Sequence, residues 1–247
     1  MHAPSIEIKD LAIGFGSGTE LFAELSFSAA GGQTTCILGP SGCGKSTLLR
    51  LISGDESFRV KGTISFTPKS PEPVRCAWMG QDDLLLPWLN LLDNVLLGAR
   101  LRGEMSAEHR RKAAALIARA ELDGSETALP ASLSGGMRQR GALLRTLMEE
   151  RPVLLMDEPF SALDALTRFK LQNLSAEMTR GATTLLVTHD AGEALRMADK
   201  IVILGGDPVR VMAQLDFTSA PPRPPDHPEV TAHYAPLLKQ LLEENPA

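Results

Sequence analysis

What this chain has little of narrows its class first. Its three cysteines, Cys36, Cys43 and Cys76, form no C-x-x-C pair. That leaves neither a disulfide framework nor a zinc site and suits a reduced, cytosolic compartment. Basic residues are not in excess: the net charge is −5, which argues against a broad nucleic-acid-binding face. No stretch is apolar enough to span a bilayer. The most leucine-rich run, residues 84–97, is interrupted by Pro87, Asn90, Asp93 and Asn94, and it falls short of the roughly 20 apolar residues a span requires. If the protein works at a membrane, another chain supplies the membrane part. The Met-His-Ala-Pro start carries neither a basic n-region nor an apolar h-region, so no export signal is expected. There is no internal repeat. What remains is an ordinary globular composition, 43% hydrophobic and 22% charged over 247 residues. That length allows one large α/β domain or two small ones, with a sizeable core.

The organising stretch is Gly39-Pro40-Ser41-Gly42-Cys43-Gly44-Lys45-Ser46-Thr47. It matches G-x-x-x-x-G-K-[ST] at every fixed position, between an apolar run at 33–38 that predicts a buried strand and a run at 46–53 that predicts a helix. Glycines at these places let backbone N–H groups close around phosphate oxygens. The helix behind them points its positive end at the same anion. Lys45 can reach the β- and γ-phosphates, and the Ser46 hydroxyl can ligand Mg²⁺. A nucleoside-triphosphate site follows.

Around it the pattern predicts strands at 6–13, 21–28, 62–66, 75–79, 153–156, 183–188 and 200–204. Helices are predicted at 100–121, 137–150, 165–178 and 191–197. Alternation of strands with helices indicates a mostly parallel, buried sheet. Phe15 falls in the glycine-rich connection 14–18 between the first two strands, where stacking on a base and packing are both open roles. After a turn at Gly205 and Gly206, the proline-rich run 221–225 is expected to be extended and solvated. A final amphipathic helix is expected at 230–244, and no second catalytic domain fits after residue 205.

Two further segments carry chemistry. Residues 153–158 end a hydrophobic strand in Asp157 and Glu158. Strand alternation sends the two acids to opposite faces, so Asp157 can serve Mg²⁺ and Glu158 the attacking water. Ser134, Gly135 and Gly136 open a second helix start that can face a phosphate, with Ser134 as N-cap.

Taken together, these segments resemble the nucleotide-binding subunit of ATP-binding-cassette (ABC) transporters over about residues 6–204. The stretch 39–47 resembles that family's Walker A loop and 153–158 its Walker B strand. Gln81 resembles the Q-loop glutamine, and 133–139, including Gln139, the signature. Ser161 to Asp164 resembles the D-loop, and His189 the switch histidine. Phe15 stands where the family places an adenine-stacking aromatic, without the common tyrosine hydroxyl.

The resemblance implies an α/β P-loop core with a mostly parallel sheet, an antiparallel β part and a helical signature subdomain at about 82–150. The ATP-binding domain would cover 1–220, with a linker and helix at 221–247. It also implies ATP and Mg²⁺ as ligands, with Ser46, Gln81 and Asp157 on the metal and Glu158, His189 and Gln81 in catalysis. Two copies would pair head to tail, each ATP lying between one Walker A loop and the other chain's signature and Asp164. The remaining partners implied are membrane permease subunits and, indirectly, a periplasmic solute-binding protein. Such a subunit would sit on the cytoplasmic face of the inner membrane.

The Leu85-Leu86-Pro87-Trp88 step after Gln81, with Met137 in the signature, resembles the nitrate, taurine and sulfonate branch of bacterial importers. Local strings at 78–81, 97–104 and 145–152 look most like ATPases of hydroxymethylpyrimidine importers. In family terms, residues around 82–97 receive the permease. Leu84 to Leu86, Trp88 and Leu89 can form that surface or a subdomain core, and different residues can serve each. A soluble cassette of DNA repair or translation is the rival. It lacks support, because neither a coiled-coil insertion nor a second cassette is present. A P-loop kinase or GTPase would leave 133–139 and 161–164 without a role.

Overall fold

Strand β1 (Ser5–Phe15) buries Ile6, Ile8, Leu11 and Ile13. Those positions break the two-residue period between Ile8 and Leu11, and the register with β2 (Thr19–Ala29) shifts at that point. A bulge at Asp10, whose φ is 49°, restores the inward face. The Asp10 backbone N–H donates to Ser26 Oγ at 2.8 Å. On the other side, Gly62 in β4 (Val60–Thr67) has φ 87°, and a Cβ there would lie 2.3 Å from the Asp10 carbonyl oxygen. Only glycine fits beside that bulge. The order is β2-β1-β4, all antiparallel.

The computed structural model describes residues 3–15, 19–58, 60–69 and 73–243, without the side chains of Phe15 and Thr19. They divide into two units: Met1–Cys76 with Pro152–Asp157 and Arg180–Ala247, and Ala77–Arg151 with Glu158–Thr179.

Besides the antiparallel sheet, the first unit holds β3 (Thr34–Leu38), β6 (Val153–Asp157), β7 (Thr183–Val187) and β8 (Lys200–Gly205). These run parallel in the order β6-β7-β3-β8. Every residue of β6 and β7 is buried, as a sheet covered on both faces requires. Helix α1 (Lys45–Ile52) packs against β6 and β7.

Two features of this unit differ from expectation. Strand β9 (Arg210–Asp216) pairs antiparallel with β8, and it escaped the pattern because its inward residues are only half-buried. The proline-rich run is solvated only in part: Pro224 and Pro225 are exposed, but Arg223 between them and the preceding prolines is 1% exposed. It lies between α7 (Ala191–Met197) and α8 (Pro228–Glu243) in the chain.

The second unit opens with β5 (Cys76–Met79), of which Cys76 belongs to the first, and is otherwise helical. It contains α2 (Leu91–Val95), α3 (Leu97–Leu101), α4 (Ala107–Arg119), α5 (Gly135–Leu147) and α6 (Ala165–Met178). The helical stretch expected over 100–121 divides between α3 and α4, because Gly103 adopts φ 71° and Ser106 caps a fresh start. Helix α5 begins two residues before the expected Met137 and ends at Leu147. Leu85, Leu91, Val95, Leu96 and Leu143 form part of the buried core of this unit.

Candidate functional site

The phosphate-loop residues all lie in the first unit. Buried β3 delivers Gly39, and Gly44 ends the loop with φ 89° at the N-cap of α1. A Cβ on Gly44 would sit 2.9 Å from Leu21 Cδ2 and from the Phe22 ring. No side chain caps α1, so its first-turn N–H groups remain directed outward, as an anion site needs. Lys45 is 8% exposed, and its Nζ donates to the Gly39 and Pro40 carbonyl oxygens at 2.8 Å each. Among the described residues it pairs with no carboxylate. A buried ammonium held by two carbonyls and the Cys43 sulfur, with no carboxylate, is a costly arrangement that an anion relieves. The donor set fits a triphosphate.

Ser41 and Gly42 are exposed, Ser46 and Thr47 half-buried. A depression of about 340 Å³ adjoins the loop, lined by Pro40 to Cys43 with Glu20 and Asp207. The Cys43 thiol is buried, and burial raises its pKa against the lowering effect of Lys45. It is not an activated thiol.

Asp157 ends β6 at 4% exposure, opposite Val187 of β7. Glu158 follows with φ 48°, in left-handed backbone. The strand therefore ends at Asp157, and alternation does not set the direction of Glu158; a turn does. A non-glycine residue held there carries strain, as do Asp10, Glu24, Leu84, Glu121 and Glu150 among the described residues. After β7, Thr188 is buried and accepts a bond from the Asp190 N–H at 3.1 Å, His189 is exposed, and Asp190 caps α7. Among the described residues no group of three or more His, Cys, Asp or Glu could hold a metal. Ser46 and Asp157 supply hard oxygen donors, which suits Mg²⁺ held mainly by phosphate and water.

The second unit carries the other half of the predicted residues. Ser134 caps α5, accepting from the Met137 N–H at 3.3 Å, and both Ser134 and Gly135 are exposed. Gly136 is half-buried, and an added Cβ would lie 3.4 Å from the Ala162 carbonyl oxygen. Gln81 is exposed. Gln139, expected on the nucleotide, is instead buried and spent on its own chain. Its Nε2 donates to the Glu158 carbonyl and Ser161 Oγ at 3.1 Å, and its Oε1 accepts from the Ala162 N–H at 2.8 Å. It braces the turn that carries Glu158. Asp164 is exposed and caps α6 through the Leu166 and Thr167 N–H groups. The Phe15 side chain and residues 16–18 lie outside the described residues.

Sequence reading missed a clamp in this unit. Arg138 Nε meets Asp83 Oδ2 at 2.9 Å, and its Nη1 donates to the Leu133 carbonyl at 2.9 Å. Arg145 donates to the Leu84 and Asp83 carbonyls at 2.6 and 3.0 Å, and burial lowers its pKa. Between them, a Cβ on Gly141 would lie 2.7 Å from Leu91 Cδ1. Arg138, Gly141 and Arg145 stand at i, i+3 and i+7, one face of α5, and that spacing was the available signal. Buried Asn94 completes the hold, accepting from the Leu86 N–H at 2.8 Å and donating to the Leu89 carbonyl at 2.9 Å.

A model of the family described as ABC transporter matches residues 22–161. The chain belongs to the ABC transporter family. It is an ATP-hydrolysing, nucleotide-binding subunit of that family. An ABC transporter ATP-binding protein of Haemophilus influenzae is 44% identical over 81% of each chain. An aliphatic sulfonates import ATP-binding protein of Delftia acidovorans is 42% identical over 91% of this chain and 89% of its own. A taurine import ATP-binding protein of Pseudomonas aeruginosa is 40% identical over 81% and 77%. Among solved structures, a dimeric post-hydrolysis state of an ATP-binding cassette bound to ADP and Pi superposes with TM-score 0.73. It is 28% identical over 87% of this ABC subunit and 99% of that chain.

Proposed function

We propose that this chain binds and hydrolyses ATP to drive import of a small sulfonate through a separate membrane permease. The observation that carries the permease is the pair Leu84 and Trp88, 57% and 71% exposed, directly after Gln81. Their loop is pinned by Arg145 and Asn94, so these apolar side chains are presented on a fixed surface, as an interface anchor is. The names of the relatives support a sulfonate or taurine as cargo; the pyrimidine alternative rests on local strings alone. Such a subunit works at the cytoplasmic face of the inner membrane and meets a periplasmic solute-binding protein only through the permease.

Within this reading, Lys45 and the backbone N–H groups of residues 41–47 bind the triphosphate. Ser46 and Asp157 would hold Mg²⁺, Gln81 is assigned the role of sensing it, and the ion would supply charge neutralisation at the triphosphate. Glu158 takes the proton of the attacking water. His189 donates to the γ-phosphate as charge builds there. Phe15 stacks on the adenine. A second copy, related head to tail by a two-fold axis, brings its Ser134, Gly135, Gly136 and Asp164 to the same nucleotide.

The test is reconstitution with the permease and solute-binding protein encoded in neighbouring genes. Taurine or a short alkanesulfonate should stimulate the ATPase, and Trp88→Ala should weaken assembly roughly thirty-fold while the isolated subunit still binds ATP. Stimulation by a pyrimidine instead would replace the cargo. An ATPase indifferent to any permease would sink the transport reading.

A further inference from the structure

Arg223 is the largest fully buried side chain among the described residues, although it comes from a proline-rich run near the chain's end. Its Nη1 donates to the carbonyl oxygens of Leu195 at 2.9 Å and Ala198 at 2.6 Å. Its own backbone N–H donates to the Arg196 carbonyl at 2.9 Å, and Arg196 Nη1 returns a bond to the Arg223 carbonyl at 2.6 Å. Leu195, Arg196 and Ala198 supply the last carbonyls of α7 and the residue after it, the groups a helix leaves without internal partners. A cation at that end also complements the helix dipole. The guanidinium is in turn fixed from the tail. Nε donates to Ser219 Oγ at 2.6 Å and meets Glu229 Oε2 at 3.3 Å, and Nη2 donates to the Ser219 carbonyl. Its Cζ lies over the Phe217 ring, 4.6 Å from the centroid, and Phe217 packs edge-on to His233 at 5.5 Å.

Helix α7 has seven residues, too few to hold together on propensity. It is capped at both ends, by Asp190 in front and by Arg223 behind. The residue before Asp190 is His189. The tail therefore closes the far end of the short helix that follows His189.

We propose that Arg223 is a positioning residue for ATP hydrolysis. By closing the C-terminal end of α7, it steadies the helix that anchors, through its N-cap Asp190, the connection carrying His189. This rests on the role given to His189 above. An imidazole displaced by about 1 Å loses on the order of tenfold to a hundredfold in rate without losing the bound nucleotide. The effect should fall on kcat and not on KM.

The experiment is a double-mutant cycle in the full chain: Arg223→Ala, His189→Ala and both together, with kcat, KM for ATP, melting temperature and amide exchange in residues 191–198. Arg223→Ala should lower kcat about tenfold or more, leave KM within about twofold, and speed exchange in α7. The double variant should be no slower than His189→Ala alone. Arg223→Lys keeps the stem and charge but lacks the planar fork, and should recover part of the rate. If Arg223→Ala does not fold, Arg223→Lys and Glu229→Gln carry the same cycle.

Equal further loss in the His189→Ala background would overturn the proposal, because a merely structural arginine multiplies every other defect. So would an unchanged kcat in Arg223→Ala. If His189→Ala itself hydrolyses ATP normally, the reading of His189 fails first, and the positioning role falls with it.

Discussion

Several candidate site residues of the two units sit in opposite surroundings. In the first, Lys45 and Asp157 lie almost wholly inside, beside a sheet buried on both faces. In the second, Gln81, Ser134, Gly135 and Asp164 stand in solvent, the last three at helix starts. Burial makes charge expensive: an ammonium without a carboxylate costs several kcal/mol unless an anion arrives. The first unit is thus already committed to a ligand. The second asks nothing of its own chain, since its caps are satisfied by local N–H groups. Under the proposed reading, one unit holds a triphosphate and the other is offered to one.

Glu158 is where this contrast breaks most sharply. It follows buried Asp157 yet begins the second unit's last stretch, in left-handed backbone braced by Gln139. Glu158→Gln should retain the turn and the nucleotide while lowering kcat about 10²–10⁴-fold. ATP-bound dimers should then accumulate on gel filtration. Unchanged hydrolysis would leave Glu158 as a turn residue and nothing more.

The next effect concerns two copies at once. Lys45→Ala removes the buried cation from one nucleotide site, and Ser134→Arg fills the exposed helix start offered to the other copy. Each variant alone should be inactive. Mixed in equal amounts, half of the dimers combine the two, and each of those holds one site with neither defect, giving roughly a quarter of full activity. Failure to recover any activity, with mixed dimers shown to form, would mean that Lys45 and Ser134 do not serve opposite sides of one nucleotide.

Much of the first unit was legible because its signals are local. Apolar runs of four to six residues produced β3, β6, β7 and β8 within a residue or so, and the loop 39–47 follows from glycine spacing alone. Helices α6 and α7 coincide with their expected bounds. What stayed hidden depends on partners distant in sequence. Arg223 reads as solvated among five residues of which four are proline, until Leu195 and Ala198 are placed beside it. Gln139 reads as a ligand until the turn at 158–162 takes up its amide. Within 84–97 the apolar count was plain, but its division was not. Leu85, Leu91, Val95 and Leu96 are core, while Leu84 and Trp88 face outward. A leucine does not announce which side of a loop it will occupy; the clamp by Arg145 and Asn94 decides that.

The smallest effect tests whether Asp164 is more than a cap. Its carboxylate accepts from the Leu166 and Thr167 N–H groups at 3.1 Å, and the Thr167 hydrogen bond leads in drawing its pKa below the ordinary 3.8. A carboxylate whose folded pKa is depressed contributes stability that is present above its unfolded value and lost as pH falls through the folded one. The loss should therefore be confined to pH below about 3.8. Asparagine caps nearly as well as aspartate but does not titrate. Asp164→Asn should match the parent in thermal melting at neutral pH and flatten its acid limb slightly, whereas Asp164→Ala should melt lower at every pH. If the cap is all that Asp164 supplies, Asp164→Asn should also hydrolyse ATP at the parental rate. A slower Asp164→Asn that melts normally would instead give the exposed carboxylate a share in the nucleotide site of the second copy, and the second unit would then offer charge as well as helix ends.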